Sequence, residues 1–131
     1  MAGAAPHFAS PDDLPPPPGY SHAVSIPAGR LVWTSGQAAI DADGSIPEGW
    51  DAQTRLVLAN VGRALGACGA GWRDVVKLTY FVTDVSALST IRSVRDELVD
   101  TARPPTSSLV QVAGLIRPEL LLEVEAVAWL P

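Results

Sequence analysis

The sequence predicts a single α+β domain, a mixed β-sheet carrying two helices on one face in the order β-β-α-β-α-β-β. Three observations predict it. The chain has 131 residues, enough for one core that buries roughly two-thirds of the unfolded surface. Nearly half its residues are apolar (47%) and only 18% are charged, so disorder is confined to the ends. Two segments place apolar residues at helical spacing, and the others alternate or run apolar as strands do.

Residues 1–19, "MAGAAPHFASPDDLPPPPG", read as a proline-rich arm laid over the surface of a domain spanning 20–131. Its four consecutive prolines favour extended polyproline II. A stiff lead-in and a motif for a proline-reading partner are both open. From Tyr20, "SHAVSI" and "LVWTSGQAAI" read as two antiparallel strands joined at "PAGR". Asp-Gly in "DADGS" marks a further turn.

Between Asp51 and Cys68, Leu56, Val57, Val61, Ala64, Leu65 and Cys68 recur at helical spacing, with Asp51 as expected N-cap. Cys68 is expected to be a small buried residue. Gly69 and Gly71 stop the helix, and the spacing of Gly62 and Gly66 predicts close approach of helix to sheet. "DVVKLTYFVTD" is a strand with Val76, Leu78, Tyr80 and Val82 on one face. A second helix follows, with Ser86 as cap and Leu88, Ile91, Val94 and Leu98 as its stripe. "TSSLVQV" and "LLLEVEAVAW" close the chain as strands. Two helices cover one sheet face, so the other is expected to meet a second copy of the chain.

Composition excludes several functions. Net charge is −5 and the nine basic residues are scattered, so there is no nucleic-acid footprint. One cysteine and two histidines, His7 and His22, allow no internal disulfide and are too few for most zinc sites. No metal or cofactor is expected, and no phosphate loop, nucleophile elbow or dinucleotide fingerprint is present. No apolar run is long enough to span a bilayer and no signal segment is evident, so a cytoplasmic location is expected.

Four sets of residues could carry chemistry. Glu123 and Glu125 share one face of a strand whose other row, Leu122, Val124, Ala126 and Ala128, faces the core. Paired carboxylates can do acid–base work or lie on a solvated face. Thr106, Ser107 and Ser108 could hold a water, a carbonyl oxygen or an anion, or cap the turn after Pro105. Tyr20 and His22 stand one strand period apart. Histidine is a residue type used for proton transfer, though a surface histidine such as His22 needs no such role.

The stretches "GYSHAV", "LVWTSGQAAID", "QTRLVLANVGRALGACGAGWRDVVKLTYFVTD", "PTSSLVQVAGL" and "EVEAVA" together resemble the RidA/YjgF family, from Gly19 to Trp129. The resemblance implies a chorismate-mutase-like homotrimer with sheets inward, helices outward and sites in the clefts between subunits. It implies cofactor-free hydrolysis of small imines or enamines of 2-oxo acids. In that family a glutamate of the last strand handles water, a tyrosine and the serine of "SGQ" line the cleft, and an arginine in "PARS" grips the substrate carboxylate. Glu123, Tyr20 and Ser35 match the first three. "PARS" reads Pro105-Thr106-Ser107-Ser108 here, so Ser107 stands where the arginine would, and a hydroxyl cannot replace a two-pronged cation. The family's asparagine on the second helix falls at Arg92, which is either a solvated helix residue or a displaced cation serving a neighbouring subunit, and its glutamine after the tyrosine falls at His22. Arg103 is expected to point away from Ser107.

Three functions follow from these residues. The leading expectation is related chemistry on a small imine, enamine or similar metabolite other than the usual 2-imino acid, with Glu123, Tyr20 and Ser35 catalytic and Ser107, Thr106, Ser108, Arg92 and His22 binding substrate. The alternatives are family-typical 2-iminobutanoate/2-iminopropanoate deamination with a relocated clamp, and a non-catalytic trimer that binds a small ligand or a partner.

Overall fold

The computed structural model describes residues 3–131. The strands are β1 (His7–Ala9), β2 (Ala23–Ser25), β3 (Arg30–Trp33), β4 (Gln37–Ala38), β5 (Val75–Val82), β6 (Thr106–Gln111) and β7 (Leu122–Leu130), and the helices are α1 (Trp50–Ala67) and α2 (Leu88–Asp96). β7 is antiparallel to β3, β4 and β5, and β6 lies parallel to β5, giving the order β3-β7-β5-β6. The parallel pair needs a crossover, and α2 supplies it.

The expected hairpin across "PAGR" does not form. β2 pairs instead with β1, a strand in the proline-rich arm, while β3 and β4 both pair with β7. Part of the arm is therefore ladder-bonded to the domain at His7–Ala9. Its first two residues lie outside the described residues.

Helix α1 starts at Gly49 (φ 89°) rather than at an Asp51 cap, and Asp51 in the first turn instead accepts from Arg55 Nε at 3.0 Å. It buries Val57, Leu58, Val61 and Leu65. Cys68 is exposed, contrary to expectation, because the helix ends at Ala67 and Gly69 (φ +81°) turns the chain away. The Gly62–Gly66 expectation also fails: Gly62 faces the Trp72 indole and Gly66 faces open space. Before α2, Asp84 rather than Ser86 is the cap, accepting from the Ser86 amide at 2.9 Å.

Alternation places the core as the sequence predicts. Leu78, Tyr80 and Val82 are buried opposite Ala126, Val124 and Leu122, but Val76 leaves the expected row, because a bulge between Val75 and Lys77 sets Val75 opposite Ala128 and into the core in its place. Ile91 and Val94 of α2 join them, but Leu98 of the expected stripe is exposed. Gln53, near the start of α1, is also buried. Its Nε2 donates to the carbonyls of Pro47 (3.0 Å) and Glu119 (2.8 Å), and its Oε1 accepts from the Leu121 amide (2.9 Å). That pins the helix start to the loop entering β7. The other sheet face exposes Leu31, Trp33 and Val110, with Trp33 66% accessible.

Candidate functional site

Strand register splits the Thr-Ser-Ser triplet. Ser107 pairs with Leu78, a core residue, so it faces the helix side of the sheet, whereas Thr106 and Ser108 pair with Lys77 and Thr79 and face the open side. Thr106 Oγ1 donates to the Val76 carbonyl at 2.7 Å, and Ser108 Oγ accepts from Lys77 Nζ at 2.8 Å. Of the three hydroxyls, only that of Ser107 is directed to the helix side.

Tyr20 reaches the same side from the arm. Its predecessor Gly19 has φ +85°, a conformation that favours glycine, and a Cβ there would have to displace the Arg95 guanidinium. Ser21, buried, donates from Oγ to the Pro104 carbonyl at 2.6 Å and from its amide to the Pro105 carbonyl at 3.2 Å. The segment carrying Tyr20 is thus bonded to the prolines that deliver Ser107.

Tyr20, Ser107 and Arg92 line one cavity of about 290 Å³, closed on its apolar side by Leu88 and Leu109. Arg95 and Tyr80 complete it. Arg92 and Arg95 are three apart on α2, hence on one face. Arg95 is buried, with Nε and Nη2 both 2.9 Å from Asp96 Oδ1. Tyr80 is buried and its hydroxyl has no partner among the described residues, a condition that costs about 1–3 kcal/mol when nothing compensates it. Burial raises the phenol well above the usual tyrosine range, with Arg95 partly opposing and Asp96 reinforcing. It is therefore a proton donor throughout the physiological range.

His22 is not brought to the cavity. Its Nε2 donates to the Pro15 carbonyl at 2.7 Å, and its ring meets Tyr20 edge-on at 5.4 Å between centroids. Arg103 points elsewhere, as expected, lying 5.1 Å over the Phe8 ring and donating to the Pro6 carbonyl at 3.2 Å.

Glu123 and Ser35 form a second group, on the open sheet face. Glu123 pairs with Phe81 and Ala38, and its carboxylate sits against Gly36 so closely that a Cβ there would overlap it. Ser35 is the exposed residue beside that glycine. Glu125 lies one pleat away, in a row with Thr79 and Ser108. The predicted residues therefore fall into two sets on opposite faces of one sheet. Sequence reasoning missed Arg95 and the Tyr80 hydroxyl as cavity groups. The signal for Arg95 was present, since it stands four residues after Ile91, on the buried face of α2.

Among the described residues no helix is long and apolar enough to cross a membrane. The family model described as Endoribonuclease L-PSP matches residues 12–130. A putative reactive intermediate deaminase, TdcF of Escherichia coli, is 39% identical over 106 residues, covering 79% of this chain and 81% of that protein. The 2-iminobutanoate/2-iminopropanoate deaminase of Salmonella typhimurium is 34% identical, covering 79% and 82%. The crystal structure of the Rid family protein YyfB from Yersinia pestis superposes with a TM-score of 0.86 at 34% identity, over 97% of this chain and all of that one. With matches this long and a shared fold, the chain belongs to the RidA/YjgF family.

Proposed function

We propose that the chain is a cytoplasmic, cofactor-free hydrolase of small imines or enamines derived from amino acids, in which Arg92 holds the substrate carboxylate in place of the arginine that Ser107 replaces. One observation carries this reading: Arg92, Ser107 and Tyr20 line the same cavity. It favours a relocated clamp over a substrate without a carboxylate. A guanidinium at Arg92 restores the charge that the PARS position lacks and can still present paired N–H donors. The deaminase names of the relatives TdcF and the Salmonella protein support the reaction class.

In the reaction, water adds to the C=N carbon and the tetrahedral adduct expels ammonia, leaving a 2-oxo acid. Tyr20 and Ser107 orient the imine by hydrogen bonds. Glu123 takes a proton from the attacking water and returns one to the leaving nitrogen. Glu123 faces the opposite side of the sheet from Ser107, so one copy cannot present both to one substrate. The reading therefore requires a homotrimer in which the exposed Trp33 face is covered and Glu123 of a second copy reaches the cavity of the first.

The test generates 2-iminopropionate with an amino-acid oxidase and follows its loss against semicarbazide trapping. Wild type should suppress trapping. Arg92→Ala should lose about 2 kcal/mol of binding, roughly 30-fold in KM, and Glu123→Gln should lose kcat while keeping its mass by light scattering. A wild type inert to imines of several amino acids, or a monomer mass, would overturn the reading.

A further inference from the structure

The cavity carries more hydrogen-bonding side chains than a carboxylate clamp alone requires. A three-carbon imino acid needs one cation and an orienting hydroxyl, which Arg92 and Tyr20 supply. The same volume of about 290 Å³ is also lined by Arg95 and Tyr80. Arg95 uses Nε and Nη2 on Asp96, and its Nη1 has no hydrogen-bond partner among the described residues. Tyr80 ends in a buried hydroxyl with no partner, close enough to Arg95 and Asp96 for both charges to act on it. Unpaired buried donors are uncommon in folded proteins and call for an explanation. Here the Tyr80 hydroxyl on β5 is one, and beside it on the same cavity wall stands the Arg95 guanidinium of α2, which can only donate. An oxygen acceptor would satisfy both.

We propose that the site selects 2-imino acids whose side chain carries a second oxygen acceptor, a carboxylate or carboxamide, which Arg95 Nη1 and the Tyr80 hydroxyl bind while Arg92 holds the α-carboxylate. This deepens the hydrolase reading and rests on it for the reacting end of the substrate. Leu88 and Leu109 pack against the methylenes between the two polar ends. Sites built to hydrogen-bond a polar substrate group reject the apolar analogue strongly, because the protein donors are then left unpaired.

Binding of the stable 2-oxo acids tests the idea without requiring turnover. Calorimetry on the intact protein would compare 2-oxoglutarate and 2-oxoglutaramate with 2-oxo-5-methylhexanoate, which has methyl groups where they carry their terminal heteroatoms. At least one of the first two should bind about tenfold tighter or better. Tyr80→Phe and Arg95→Met should bring that ratio toward one. Tyr80→Phe removes a single oxygen and keeps the fold, so it decides the matter if Arg95→Met does not fold. Equal or tighter binding of the apolar acid, a ratio unmoved in Tyr80→Phe, or no binding of either acceptor-bearing acid at millimolar concentration would each overturn the inference. An active imine hydrolase without this preference would sink the inference alone. A preference without imine turnover would sink the hydrolase reading alone.

Discussion

Ser21 and Pro104 are joined by a 2.6 Å hydrogen bond, from the serine Oγ to the proline carbonyl, across 83 residues of chain. With the Ser21 amide on the Pro105 carbonyl, it fixes the distance between Tyr20 and Ser107 through two short stretches of backbone. Ser21→Ala should cost about 1 kcal/mol of stability and raise KM for an imine substrate more than it lowers kcat. Thermal melts and steady-state kinetics on the same preparation check this; unchanged KM would show that the tie has no part in the site.

The contact of Gly36 with the Glu123 carboxylate makes a different demand. A methyl at Gly36 would meet the far end of a flexible side chain rather than backbone, so Gly36→Ala should fold and melt close to wild type. It should also displace the carboxylate, and misplacement of a catalytic group by an ångström can cost up to about 100-fold. A fall in kcat of about tenfold or more with little change in melting temperature is the expected pattern.

Gln53 holds three backbone groups of the loops flanking α1 and β7 in a buried position. Gln53→Leu keeps the volume but leaves two carbonyls and an amide unpaired. Denaturant unfolding should show a loss of about 2–4 kcal/mol, and a change under 1 kcal/mol would mean that water replaces the side chain.

Tyr80 predicts an alkaline limit to stability. Its folded value is raised by burial, so the folded state holds the phenolic proton more tightly than the unfolded state. The associated stability is fully present below the ordinary tyrosine value of about 10 and is lost as pH rises through the folded value. Tyr80→Phe should therefore melt no lower than wild type at neutral pH and lose less stability above about pH 10. Parallel alkaline curves for the two proteins would contradict the assignment.

Gly66 and Gly69 differ only by tertiary and backbone context. Gly66 lies in α1 with open space where a Cβ would project, and Gly69 has φ +81°. Gly66→Ala should stabilise the protein by about 0.5–1 kcal/mol, and Gly69→Ala should destabilise it by at least as much. Chemical denaturation of the pair gives both signs in one experiment.

The sequence by itself determined which faces are buried. Side-chain alternation in β5 and β7 and the spacing of Val57, Val61 and Leu65 follow from local geometry, and the buried rows Leu78–Tyr80–Val82 and Leu122–Val124–Ala126 agree with it. It also determined that the PARS arginine is a serine. Tertiary structure decided what depends on partners distant along the chain. β2 took β1 rather than β3 because β7 offers β3 and β4 a long central edge, and no local pattern records that competition. The parallel register of β5 with β6 sent Ser107 to the helix side and its neighbours Thr106 and Ser108 to the other; a shift of one residue would have reversed all three. The same packing turned Arg95 inward beside Arg92 and Tyr80, on the helix that crosses over the strand where the PARS arginine is replaced.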